Sequence, residues 1–180
     1  MNTAEKDSGF SADAEFDTTG MRRVVQTGKW FEELETGVVY EHRPGRTMTE
    51  ADNVLFSTLS MNPQGLHVDR AYSEATEPFN ERLMNSLFTL GVLVGLSVAH
   101  LTQGTTVANL GFEQVKFPAP LFHGDTLYAE TVVLAKRESK SRPGTGIVTF
   151  RHTGRNQHGT VVAVAIRHAM IRLRPTGDES

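Results

Sequence analysis

The chain has 180 residues, 38% hydrophobic and 22% charged, with a formal net charge of −3. That length suits one domain with a sizeable core and is short for two. The mild acidic balance argues against nucleic acid as the main partner, because a phosphate-backbone binder shows a basic stripe. Cysteine is absent, which excludes disulfides, thiolate catalysis and cysteine-ligated zinc and fits a cytoplasmic protein.

Residues 1–25 are polar, rich in small and acidic residues and without period. They read as a flexible arm, and their lack of an apolar h-region argues against a signal peptide. The domain is expected over residues 26–175, with 176–180 as a tail. Trp30 and Phe31 are expected to pin the arm onto it. Val38–Thr47 reads as a strand weakened by Pro44-Gly45. Thr49 can cap a following helix, and Asp52 three residues on nearly matches a capping box. That pattern gives Asp52 a helix-stabilising role in the first turn, and Val54, Leu55, Thr58 and Leu59 supply an apolar face.

A second helix is predicted over Asn85–Thr102, closed by Gly104. It is apolar nearly all round, so something must wrap it on most sides. Its most apolar stretch, Leu87–Leu101, is too short to span a membrane. Gly91 and Gly95 each lower helix stability by roughly 1 kcal/mol relative to alanine, which makes sense where neighbouring backbone approaches closely. Extended segments are predicted at Thr106–Phe112, Gln114–Phe117, Thr126–Ala135, Gly146–Arg155 and Thr160–Arg172. The last two form a hairpin about Asn156-Gln157-His158-Gly159. Alternation puts Val161, Ala163, Ala165, Arg167 and Ala169 on one side of the final strand. One antiparallel sheet curled around one hydrophobic helix satisfies both patterns, an α+β domain. Its exposed edge is most simply managed by dimerisation, as a homodimer or a higher even oligomer.

The chemistry centres on Leu55–His67, LFSTLSMNPQGLH. Seven histidines are scattered without HxxxH or HExxH spacing. His67-x-Asp69 would share a face on a strand, a single weak pair, so no metal is expected. His123 and Asp125 belong to a turn that Asp125 stabilises. His67 stands apart because it follows a turn shaped by Pro63 and Gly65. Histidine suits acid/base work near neutral pH. Asn62, five residues earlier, takes no proton but can both accept and donate hydrogen bonds to a water. If the two share a pocket, they hold and polarise that water.

At these residues the chain resembles the MaoC-like hydratases, relatives of the R-specific enoyl-CoA hydratases with a hot-dog fold. The family signature is roughly S-G-D-x-N-P-[LIV]-H after a [ST]-x-x-D helix. Thr49-Glu50-Ala51-Asp52, Ser60, Leu66 and His67 match it; the family glycine falls on Met61, the aspartate on Asn62 and the Asn-Pro on Gln64-Gly65. Phe117-Pro118-Ala119-Pro120 and Gly124-Asp125-Thr126-Leu127 match a downstream motif. The resemblance covers about residues 30–173 and implies a single hot-dog domain, with its antiparallel sheet wrapped around the long hydrophobic helix. It also implies water addition to a trans-2-enoyl-CoA. His67 would act as acid/base, Asn62 would orient water, and the Ser86 backbone N–H would hold the thioester oxygen. Coenzyme A enters as part of the substrate and no separate cofactor is implied. The segment is nearest the branch acting on mesaconyl- or itaconyl-CoA, for which Arg82 is the candidate carboxylate reader, with Asn85 beside it at the substrate. Lys116, Lys136, Arg137 and Arg142 are plausible contacts for CoA phosphates. The alternatives are a hot-dog thioesterase and a non-catalytic acyl-CoA-binding subunit.

Overall fold

A computed structural model describes residues 17–176. Of the expected arm and tail, residues 1–16 and 177–180 lie outside the described residues. The elements in chain order are β1 (Val39–Thr47), α1 (Glu50–Leu59), α2 (Gly65–Val68), α3 (Arg70–Glu74), α4 (Ser86–Leu101), β2 (Thr106–Lys116), β3 (Thr126–Glu138), β4 (Thr145–Arg155) and β5 (Val161–Arg172). The strands form one antiparallel sheet in the order β1-β3-β4-β5-β2. No helix among the described residues is long and apolar enough to cross a membrane.

Helix α4 starts where Asn85 caps it, its Oδ1 accepting from the Leu87 N–H at 3.0 Å. Thr89, Leu93, Ser97 and Leu101 recur every fourth residue and are the helix's buried positions. On β5 the alternation holds from Ala163 on, with Ala163, Ala165, Arg167, Ala169 and Ile171 buried, while at the strand's start Val162 is buried and Val161 half-buried. The two faces enclose two apolar clusters, one around Phe31, Leu101 and Phe150, the other around Met48, Leu93 and Leu127.

A buried polar seam separates the clusters. On β1, His42 lies between Tyr40 of the first and Met48 just past the strand in the second. On β3, Thr131 lies between Val133 and Ala129. On β5, Arg167 lies between Ala169 and Ala165; on α4, Ser97 lies between Leu101 and Leu93. His152 of β4 completes the row. Thr131 Oγ1 is 2.8 Å from both His42 Nε2 and His152 Nδ1.

Four expectations are corrected. The apolar residues of α1 face outward: Val54, Leu55 and Leu59 are exposed, and the helix buries Asn53 and Ser57. Those two side chains turn inward because they hydrogen-bond the α4 approach. On α4, a side chain at Gly91 or Gly95 would meet nothing within 4 Å beyond the helix's own adjacent backbone, so among the described residues their face is open and the expected close approach is not made. The two segments predicted between Thr106 and Phe117 are one strand, β2, whose register against β5 shifts at three places. His67 lies on short helix α2 and Asp69 caps α3, so the strand pairing of His67 with Asp69 does not form.

Candidate active site

The site is assembled from three segments: α1, the turn into α2, and the approach to α4. The capping box forms, with the Asp52 N–H reaching Thr49 Oγ1 at 3.3 Å and the Thr49 N–H reaching Asp52 Oδ2 at 3.0 Å. This fixes the start of α1, and Arg46 adds an ion pair to Asp52 at 2.6 Å. At the other end Met61 adopts φ 53°, and the chain reverses. The Asn62 N–H donates to the Ser57 carbonyl at 2.8 Å, and Asn62 Oδ1 accepts from the Gln64 N–H at 3.1 Å. That Asx turn delivers the chain into α2.

His67 is half-buried on α2. Its Nδ1 lies 3.0 Å from the Leu83 carbonyl. A carbonyl only accepts, so Nδ1 carries the proton, and in the neutral ring Nε2 then holds the lone pair. Two residues beyond Leu83 comes Asn85, whose side chain caps α4 and donates from Nδ2 to Ser57 Oγ at 3.2 Å. Asn85 is 3% exposed and its carboxamide is engaged within the chain. Ser86 is the first residue of α4 and is exposed. Among the described residues no acceptor meets its N–H. It borders a cavity of about 320 Å3 whose walls include Phe79, Leu83, Phe117, Pro120 and Val162. A free N–H at a helix N-terminus beside an apolar cavity is suited to a developing oxyanion.

Arg82 faces elsewhere. It is 9% exposed, ion-paired with Glu50, and lines a separate polar cleft of about 390 Å3 with Arg70, Glu74 and His123. The guanidinium holds the Glu50 carboxyl below the usual range. Burial, and then the charge of Arg82, lowers the His123 pKa. The structure therefore ties His67 to Leu83, three residues before Ser86, while His67 is not among the residues lining the cavity that Ser86 borders. It holds Asn62 on the adjoining turn and sets Arg82 in a different cleft. Of the basic residues considered for CoA phosphates, Lys136 instead donates to the Phe31 carbonyl at 2.9 Å.

Two residues beyond those expected enter the network, Asn53 and His123. Asn53 is fully buried, and its Nδ2 lies 3.1 Å from His123 Nε2. An asparagine in a helix interior is disfavoured by its competing backbone bonds. With Ser57 one turn later it marks an inward polar stripe, the one sequence signal that pointed here.

A model of the MaoC like domain matches residues 32–156. The chain is 29% identical over 156 residues to the mesaconyl-CoA hydratase of Cereibacter sphaeroides, covering 84% of this chain and 43% of that protein. It is 30% identical over 160 residues to the beta-methylmalyl-CoA dehydratase of Chloroflexus aurantiacus, covering 86% and 43%. The chain thus spans less than half the length of these relatives. Among solved structures, a Mycobacterium tuberculosis protein described as having a double hotdog fold superposes with a TM-score of 0.75 at 26% identity, over 85% of this chain and 47% of that one. The five-stranded antiparallel sheet with its helices is thus that of a hot-dog domain, and the chain belongs to the MaoC-like dehydratase family.

Proposed function

We propose that the protein is a hydro-lyase that adds or removes water across the 2,3 double bond of an enoyl-CoA thioester, with branched dicarboxylyl-CoA esters such as mesaconyl- or itaconyl-CoA as the leading substrate class. Two observations support this reading: a histidine whose ring is fixed through Nδ1 by the Leu83 carbonyl, and, three residues beyond Leu83, a helix-start N–H without an acceptor among the described residues. In the hydration direction Asn62 orients a water and His67 Nε2 takes its proton as the oxygen bonds to C3. The electron pair moves onto the thioester oxygen, where the Ser86 N–H stabilises it. Collapse of that enolate takes the proton from His67 onto C2, so the elements of one water are added. Arg82 would read a substrate carboxylate only by releasing Glu50, its present partner.

The proposal includes a second copy of the chain and a cytoplasmic setting. Leu110, Phe112 and Val115 on edge strand β2 and Leu87 on α4 are exposed apolar side chains, which supports pairing along that edge.

The test is a panel of straight-chain, methyl-branched and dicarboxylyl enoyl-CoA esters, followed by mass for gain or loss of one water and by thiol assay for free CoA. His67→Ala is expected to lower the hydration rate by roughly 10² to 10⁴. Full activity in His67→Ala would remove His67 from the mechanism. Free CoA without hydration would make the protein a thioesterase, and binding without conversion a non-catalytic subunit.

A further inference from the structure

Asn53 has no exposed surface, and its carboxamide meets four groups from three segments. Its Oδ1 accepts from the Asn85 N–H at 2.8 Å. Its Nδ2 is 2.9 Å from both the Leu83 and the His67 carbonyls and 3.1 Å from His123 Nε2. The orientation of the amide follows from these partners: an N–H faces the oxygen and two carbonyls face the nitrogen, which the flipped amide could not satisfy. Two hydrogens serve the two carbonyls, leaving His123 Nε2 a shared third contact.

The pattern matters because of what each partner does. The Leu83 carbonyl is also the acceptor that fixes the His67 ring through Nδ1. The His67 carbonyl belongs to the same residue's backbone. Asn85 is the cap of α4 and immediately precedes Ser86. One planar amide therefore bonds the backbone of His67, the carbonyl that orients its ring, and the residue that starts the oxyanion helix. The chemistry requires an acceptor and two donors at one point. Aspartate supplies the acceptor without the donors, and leucine supplies neither.

We propose that Asn53 is a positioning residue, setting the placement of His67 Nε2 relative to the Ser86 N–H. Its catalytic part rests on the hydro-lyase reading above, whereas the coupling rests on the hydrogen bonds alone. A merely stabilising Asn53 would lower the melting temperature when replaced and leave the His67 ring as it was. A positioning Asn53 changes the ring itself.

The experiment compares wild type with N53D, which keeps the acceptor for Asn85 and loses both donors. Two readouts are taken on the folded proteins: ring ¹⁵N NMR of His67, and kcat and KM on whichever enoyl-CoA ester the wild type converts. Expected are a wild-type ring protonated at Nδ1 and a mixture of tautomers in N53D. Turnover is expected to fall on the order of 10²-fold, the scale of a small misplacement of reacting groups, with KM changed far less. N53L, which loses the Asn85 bond as well, is expected to fall further. An unchanged His67 tautomer in folded N53D overturns the proposal, as does wild-type kcat in an active background. If the wild type converts no ester, the hydro-lyase reading fails, and the NMR comparison still decides the coupling. Should N53D not fold, N53S, smaller and able to admit a water, takes its place with the same readouts.

Discussion

At the scale of single residues the turn before α2 shows how a family position and a local conformation agree. Met61 has φ 53° and is 89% exposed, at the position where the resembled signature carries glycine. The left-handed region costs a residue with a Cβ roughly 1–2 kcal/mol, and glycine brings an entropic cost of roughly 0.5–1 kcal/mol of its own. Met61→Gly is therefore expected to stabilise the fold by up to about 1 kcal/mol, raising the melting temperature by roughly 2–4 °C in a chain of this size. A thermal scan showing no gain would mean that the Met61 side chain has a partner of its own. Its neighbour Asn62 keeps what an aspartate would offer locally, a side-chain oxygen accepting from the Gln64 N–H. What it lacks is a second base, which leaves both proton transfers of the proposed reaction to His67.

At the scale of elements, legibility in the sequence tracked whether the signal was local. Helix α4 is legible because a long apolar run and the glycine after it are near neighbours, whereas Asn85, read as the helix's first residue, is its cap. The hairpin of β4 and β5 is legible from alternation and the turn between the strands. Helix α1 misleads because its apolar residues Val54, Leu55 and Leu59 face outward. Its inward positions are Asn53 and Ser57, whose partners lie about thirty residues away in sequence, and no spacing rule connects them. The polar seam was hidden for the same reason, since four strands each contribute one residue. It has a consequence for pH. Burial first, and then His100, pushes the His42 pKa down to about 4; burial first, and then Arg167, pushes His152 down to about 3. Both are neutral in the fold, while in the unfolded chain they take up protons near pH 6.5. Stability from this source is complete above pH 6.5 and is lost as pH falls from there toward 4, by an amount on the order of a few kcal/mol. Urea midpoints should decline across that window, before carboxylates titrate, and His152→Asn should flatten the decline. A midpoint constant from pH 7 to 4.5 would show that the seam admits protons freely.

At the scale of the whole molecule the two sheet edges are unlike. Edge strand β1 carries Glu41, Arg43, Pro44 and Arg46 and breaks register between His42 and Arg46, all devices that discourage pairing. Edge strand β2, TVANLGFEQVK, has only Glu113 and Lys116 as charges. Its bulges leave Leu110, Phe112 and Val115 exposed. It also leads directly into Phe117-Pro118-Ala119-Pro120, a wall of the cavity beside Ser86. If a second copy pairs along β2, as proposed, that pairing fixes the cavity wall as well as the edge, so assembly and turnover should be lost together. The wild type should sediment at twice the 19.8 kDa chain mass, and Phe112→Lys, which sets a charge in the joint, at the mass of one chain. Raising the variant's concentration should restore dimer and specific activity in parallel. A wild type that sediments as a single chain at micromolar concentration would overturn the second copy altogether, and a Phe112→Lys variant that keeps the dimer mass would put the joint elsewhere, with the open face of α4, carrying Leu87, Gly91 and Gly95, as the surface to test.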